Sequence, residues 1–443
     1  MNQLLDKTNK KSSTLIIKKE TIEWIILCLV LAFSFINYIT LLISLISLII
    51  LLFVLKQKEI GSIKLINIIA LRTIINPGIA VGIDYYQNFK WIILLLSSFY
   101  LISKYKKLEG SQILKIKRIV ITAFVFALYN ILASLIFSTL PIVAIFKVIS
   151  YILVFLGVLI GVACTSSRFN WINWLYKMFL TVIIVSAPLI LFPVGYLRNG
   201  HSFQGITNQP NMFGIILTLF IGLIFTKIQY SNQKKHLKEY ILLSLVFYFI
   251  ILSKSRTAFI TSLILLILFV FFSNISKIKK IFVIDLIGII LIIYTILNQN
   301  VFNFIKEFFL KGQNDFFYSR KLQVEGLMSN FLRNPLFGSG FAVPVTPVRI
   351  FSFSVEYVME PGNLLLAVLS YGGVIGFTLF IIYISKILWS NKSNIRYQCY
   401  LPISTILISM GEMVFFSSNN IGVWIYMYLA VYVLYEPNKN QKN

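Results

Sequence analysis

The chain has 443 residues, 58% of them hydrophobic and only 12% charged, yet its formal net charge is +25. A mean hydropathy of +0.85 excludes a soluble globular domain and makes the cationic excess a matter of membrane orientation, with no nucleic-acid partner implied. Cys28, Cys164 and Cys399 lie far apart in or at the ends of apolar runs, without metal-ligand spacing; they read as small core residues with no disulfide or metal role.

Residues 1–20 are polar, rich in Lys and Ser, and show no cleavable signal peptide, so they read as a cytosolic amino-terminal tail. Runs such as 41–55, 119–140 and 281–297 approach or reach the ~20 residues that a bilayer-spanning helix needs. They lack the apolar/polar alternation of barrel strands, and backbone groups in lipid must be satisfied within each segment. The expected fold class is therefore all-α: a polytopic membrane bundle of about 14 helices (range 12–14), with one large extracytoplasmic loop holding short amphipathic helices.

In chain order the spans fall near 22–37, 39–55, 63–83, 90–103, 119–138, 142–163, 175–195, 211–228, 239–252, 256–273, 281–297, 361–386, 398–416 and 420–435. Residues 21–297 thus hold helices 1–11, 298–360 the large loop, 361–435 helices 12–14, and 436–443 a cytosolic tail. Arg72, Asn76, Pro77 and Gly78 interrupt the third span, which is expected to be kinked, re-entrant or interfacial. Basic clusters at 56–58, 104–118, 234–238, 277–280, 386–396 and 439–442 all fall on one side in this trace, as the positive-inside rule requires. Trp24, Trp91, Trp171, Trp174, Trp389 and Trp424 lie near predicted ends, where amphipathic rings favour the interface.

The opposite, outer face carries few cations, and those present need a reason: Arg198, Lys254, Arg256, Arg320, Lys321, Arg333 and Arg349. For any one of them snorkelling or a local ion pair suffices. Convergence from separate loops suits phosphate capture, to which a planar guanidinium is matched. In the loop 198–211, Asn208 and Gln209 before Pro210 predict a helix amino terminus, whose free N–H groups suit an anionic headgroup or serve simply as a cap. His201 reads as a loop residue. Ser253-Lys254-Ser255-Arg256 forms a four-residue outer hairpin holding cations at the membrane boundary.

Within the large loop, residues 301–310 put Val301, Phe304, Ile305, Phe308 and Phe309 on one helical face, the pattern of a helix lying on the bilayer surface. Ser319 opens a second helix with Arg320 in its first turn; it stops at Asn334-Pro335, ahead of a glycine turn at 337–340. The loop is thus expected to be a folded lid. It ends with Glu356, Glu360 and Asn363 just before the next span. Glu412, inside the thirteenth span, is an intramembrane carboxylate, either functional or a structural partner for Arg72 or another buried polar group.

The ordered set Arg198 and 205–211, then 253–256, then Ser319-Arg320 with 334–340, then Asn363 and Gly372, Gly373 and Gly376 resembles the O-antigen ligase and O-antigen polymerase family, over roughly residues 175–390. The resemblance implies a glycosyltransferase facing away from the cytosol that takes a glycan from undecaprenyl diphosphate, with no cofactor or metal. Arg198, Arg256 and Arg320 would hold the diphosphate as the anomeric bond breaks, with Asn208, Asn211, Lys254 and Asn363 binding donor and glycan. Ligases of the family commonly carry a histidine at the end of the large loop; here Glu360 stands there, making it the candidate base, with Glu356 second.

The resulting expectation is a polymerase of undecaprenyl-diphosphate-linked oligosaccharide repeat units in the bacterial inner or plasma membrane, in contact with membrane lipid and with a chain-length regulator or flippase as possible partners. The alternatives are a ligase that moves a finished glycan to an acceptor, and a transporter or flippase of lipid-linked sugars. Transporters more often show internal repeats and charges at the membrane midplane; no repeat is visible here, and most charges lie at the edges.

Overall fold

The computed structural model describes residues 19–54, 58–197, 200–230, 236–273, 299–310, 318–342, 362–412 and 414–435. The predicted span 281–297, residues 1–18 and 436–443 of the two tails, Arg198, Arg349, Glu356 and Glu360 lie outside the described residues. Among those described the chain is all-helical, without strands.

In order the helices are α1 (Lys19–Phe33), α2 (Tyr38–Ile49, continued by a π turn to Val54), α3 (Lys58–Thr73), α4 (Gln87–Ser103), α5 (Gly110–Phe137), α6 (Pro141–Thr165), α7 (Trp171–Ser186), α8 (Pro210–Tyr230), α9 (Leu237–Ser253) and α10 (Arg256–Phe272). Then follow α11 (Gln299–Leu310), α12 (Tyr318–Arg333), α13 (Leu364–Ser390), α14 (Tyr400–Ser409) and α15 (Gly422–Leu434). Their starts follow local chemistry: Asn37 caps α2 in a reciprocal box with Thr40, Asn170 caps α7, and Pro141 and Pro210 stand at first positions where no N–H is needed.

Among the described residues five segments are long and apolar enough to cross a membrane: Gly110–Phe137, Pro141–Thr165, Trp171–Leu191, Pro210–Tyr230 and Leu364–Ser390. Apolar helices of 10–17 residues accompany them, including α10, α14 and α15. On α5, Ile121, Phe124, Leu128, Leu132 and Leu135 form an exposed stripe at helical spacing, the surface expected against lipid. In contrast, α15 is buried along its whole length and α8 along most of it, so both are hydrophobic all round and form the core. Two tyrosine hydroxyls in that core are satisfied internally: Tyr428 donates to the Leu219 carbonyl and Tyr432 to that of Leu388, each at 2.7 Å.

Several boundaries differ from the sequence trace. The third span is helical only to Thr73; beyond it, Ile75 pairs with Thr207 in an isolated antiparallel bridge, and the Asn76 side chain donates to the Val194 carbonyl. The α-helix of the seventh span ends at Ser186 and continues as a 3-10 turn to Leu191, where Pro188 interrupts the ladder. The thirteenth span is helical only to Ser409, and the described residues between there and α15 are irregular. Trp171, Trp174 and Trp424 are not interface anchors but core residues at 2%, 6% and 0% exposure; Trp171 donates to Thr165. Trp389, by contrast, is 69% exposed.

The glycine turn after α12 is docked into a break in α13. Gly373 has φ +61° inside that helix, which frees backbone groups: Val374 N–H donates to the Pro335 carbonyl and Ile375 N–H to that of Leu336. Ser339 and Gly340 N–H donate in turn to the carbonyls of Ser370 and Tyr371, and the Tyr129 hydroxyl donates to that of Gly372. A Cβ at Gly373 would overlap the Leu336 carbonyl as well as adopting a conformation that L side chains rarely take. Gly373→Ala is therefore expected to cost about 1–3 kcal/mol and to speed amide hydrogen exchange at 336–341, whereas Gly376→Ala, at an ordinary helical position, perturbs less. Equal protection in both variants would show that the break does not hold the turn.

Candidate functional site

The site lies at the end of the bundle where α8, α10 and α13 begin and α9 and α14 finish. Residues 200–209 pack onto that end: Phe203 N–H donates to the Leu252 carbonyl at 3.0 Å, and Asn208 N–H to the Ile74 carbonyl at 2.8 Å. At Gly214, one turn into α8, the missing side chain lets the helix meet Ser255 and Ala258. At Gly411 the same absence lets the irregular segment after α14 rest on Thr257. The start of α10 is thereby held between α8 and that segment.

Lys254, at φ +52°, closes α9 in the left-handed region, so the turn to α10 is as tight as the four-residue hairpin predicted. Its Nζ lies 3.6 Å from the carboxylate of Glu307. Arg256 Nη1 donates to the Phe309 carbonyl at 2.7 Å, in the last turn of α11, where helix carbonyls lack partners and the dipole is negative. Phe259 meets Phe308 and Phe309 edge-on at 5.4 and 6.2 Å between centroids. The helix predicted to lie on the bilayer is thus seated by its carboxyl end on the cationic hairpin, with Phe308 buried and Asn303, Lys306 and Glu307 exposed.

Beside this contact a cavity of about 260 Å³ is lined by Arg256, Thr257, Val324, Asn363, Met410 and Gly411, among others. It brings together Arg256 and Asn363, which are 107 positions apart by their numbers. Val324 belongs to α12, one turn beyond Arg320, so the helix that carries Arg320 forms one wall. Gly362 N–H reaches Gln323 Oε1 at 3.5 Å, tying the same helix to the start of α13.

Other predicted site residues are placed differently. The Asn363 side chain is an N-cap, accepting from Leu366 N–H at 3.1 Å, so its amide oxygen already has a partner. Asn208 does not cap α8: among the described residues its buried Oδ1 has no hydrogen-bond partner, the state that a buried polar atom ordinarily avoids. Asn211 Nδ2 donates to Glu412 Oε1 at 2.8 Å. Glu412 therefore pairs with Asn211 and not with Arg72, whose guanidinium is held by Ser34 and the Val81 carbonyl. The sequence pattern singled out Glu412 as an expected intramembrane carboxylate but could not supply Asn211 as its partner. Glu307 and the Phe309 carbonyl were missed, because an exposed acid and a backbone oxygen carry no sequence signature.

Residues 240–381 match the family model for O-antigen ligase. The match runs from α9 into α13 and takes in the 253–256 hairpin, both helices of the large loop, the glycine turn and Asn363, while covering just under a third of the chain. A search of curated proteins returned no match. Most of the residues that line the cavity thus lie in a segment similar to the O-antigen ligase family.

Proposed function

We propose that the protein is a membrane glycosyltransferase that joins undecaprenyl-diphosphate-linked oligosaccharide repeat units into a surface polysaccharide. The observation that carries this reading is the cavity at the start of α10, where a guanidinium, the Asn363 helix start and the Arg320-bearing helix meet inside the matched segment. In this mechanism Arg256 and Arg320, with Arg198, hold the donor diphosphate. An acceptor hydroxyl attacks the anomeric carbon, the bond from that carbon to the diphosphate oxygen breaks, and undecaprenyl diphosphate leaves. The hydroxyl proton passes to Glu360, with Glu356 as the second candidate. Cations fixed before reaction favour the charge that grows on the leaving diphosphate.

The proposed topology has fourteen spans in the bacterial inner or plasma membrane with both termini cytosolic. The basic clusters at 104–118 and 386–396 stand at the opposite ends of their helices from the cavity, which supports an extracytoplasmic site. A ligase reading is kept because the matched family model is described as an O-antigen ligase.

Cells lacking the protein are expected to accumulate single repeat units on undecaprenyl diphosphate, measured as a size profile of lipid-linked glycans. Long chains still on the lipid would favour the ligase instead, and an unchanged profile would overturn both. Coupling of lipid-linked oligosaccharide by purified protein in detergent, where no sidedness exists, would exclude a pure transporter.

A further inference from the structure

At the end of the bundle opposite the Arg256 cavity, a second cavity of about 350 Å³ is lined by Lys58, Glu59, Lys107, Cys164 and Arg168. The direction of α3 fixes that placement: Lys58 and Glu59 open the helix, while just beyond its far end Ile75 bridges Thr207 beside the candidate site. The other walls are the 3-10 turn Lys104–Lys107 and the end of α6, joined where Cys164 Sγ donates to the Lys104 carbonyl at 3.8 Å. Three cations face one carboxylate in this lining. Arg168 Nη2 donates to the Cys164 carbonyl at 3.1 Å, which leaves the rest of its fork for a second partner. Among the described residues neither the Lys58 nor the Lys107 ammonium has a hydrogen bond or ion pair.

Lipid-facing surface leads to the same cleft. Ile46, Ile50 and Phe53 are exposed at helical spacing on α2 and its π turn, as are Ile92, Leu96 and Phe99 on α4. The two stripes end together: Phe53 meets Tyr100 edge-on at 4.9 Å between centroids, and Lys104 Nζ lies 4.4 Å from the centre of the same ring. Membrane orientation alone asks for cations at this end. It does not ask for them around a cavity, nor for apolar stripes that run up to it.

We infer that this cleft binds an anionic phospholipid, its headgroup phosphate held by Lys58, Lys107 and Arg168 and its acyl chains lying on the exposed faces of α2 and α4. The inference is independent of the glycosyl-transfer reading. Basic pockets between helices at a membrane face suit such headgroups, and a guanidinium beside ammonium groups suits a phosphate. Glu59 accepts a hydrogen bond and cannot donate when ionised, so a headgroup hydroxyl satisfies it. Phosphatidylglycerol carries both the anionic phosphate and the hydroxyls; phosphatidylcholine brings a fixed cation to an already cationic cleft.

The test titrates phosphatidylglycerol and, separately, phosphatidylcholine of the same acyl chains into the purified full chain in detergent, with bound lipid counted by native mass spectrometry. The wild type is expected to bind phosphatidylglycerol about tenfold more tightly or better. Lys107→Gln combined with Arg168→Gln is expected to weaken that binding about tenfold to thirtyfold, the effect of two charges near the surface. Both side chains are exposed, so the melting temperature should stay close to wild type. Lys386→Gln combined with Lys392→Gln removes two exposed cations from the same end of the bundle but outside the cleft, and is expected to stay within about twofold.

Acetylation of Lys107 in the wild type, mapped by peptide mass spectrometry, gives a readout that needs no variant. Phosphatidylglycerol should protect it, and inorganic phosphate at the same concentration should not. Equal weakening in the two double variants would reduce the effect to a general attraction of a cationic face and overturn the site. Equal affinity for the two lipids, or equal protection by inorganic phosphate, would overturn the lipid as its occupant.

Discussion

Arg256→Ala is expected to lower the rate of glycan coupling by about 10²–10³-fold, the effect of removing a preorganised group aimed at developing charge. The protein should still fold, since the guanidinium lies at the rim of the bundle and reaches out to a carbonyl at the end of α11. The charge alone does not account for the expected loss. Arg256→Lys keeps the cation but replaces a planar fork with a point charge, and is expected to recover only part of the rate, leaving about a tenfold deficit. The measurement is single-turnover coupling of lipid-linked repeat unit by purified protein, with melting temperature as the folding control. An alanine variant that folds and couples at the wild-type rate would remove Arg256 from the phosphate clamp. A lysine variant as slow as alanine would support bidentate geometry as the whole of its contribution.

Much of this end of the molecule could be read from residue patterns, because it is built from strong local signals. The 253–256 turn stands between two apolar runs, Pro210 marks a helix start, and the 334–340 punctuation stops α12 where Asn334-Pro335 requires. Each depends on neighbours within a few positions, so tertiary packing had little to override. Where the reading failed, distant partners decided. Trp424 sits at a predicted span end, yet α15 is enclosed on every side and the ring is buried. Asn208 has the composition of a cap, but its N–H is claimed by Ile74, drawing it into the bridge beside Thr207. Glu412 stood out as an acid within an apolar run; that Asn211 meets it across 201 positions did not. The break at Gly373 was marked by a glycine pair, although its use as a dock for a turn more than 30 positions earlier follows only from the fold.

Seating α11 on the hairpin has a consequence for the order of binding. The Phe309 carbonyl occupies a donor of Arg256 that the donor lipid would need. A hydrogen bond from a charged donor contributes about 1.5–3 kcal/mol, the Lys254–Glu307 pair, with Glu307 69% exposed, at most about 1 kcal/mol, and the edge-on phenylalanine contacts of the order of 1 kcal/mol. A diphosphate offers full charges and two-pronged geometry in place of one neutral carbonyl, so it should displace the helix end. On the proposed mechanism, turnover is expected to require α11 to lift from the hairpin once per cycle.

Carbodiimide treatment tests this directly, because it joins a lysine to a nearby carboxylate without a spacer and Lys254 and Glu307 are 3.6 Å apart. Protein carrying the 254–307 amide, quantified by peptide mass spectrometry, is expected to lose coupling activity in proportion to the bonded fraction. Adding lipid-linked repeat unit before the reagent should protect both the activity and the pair. Glu307→Gln cannot be activated by the reagent at that position; its untreated rate should stay within a few-fold of wild type, and treatment should inactivate it less than it inactivates wild type, the difference being the part due to the 254–307 amide. Full activity in the bonded protein would mean that α11 is a fixed wall of the site and that the diphosphate reaches Arg256 without moving it.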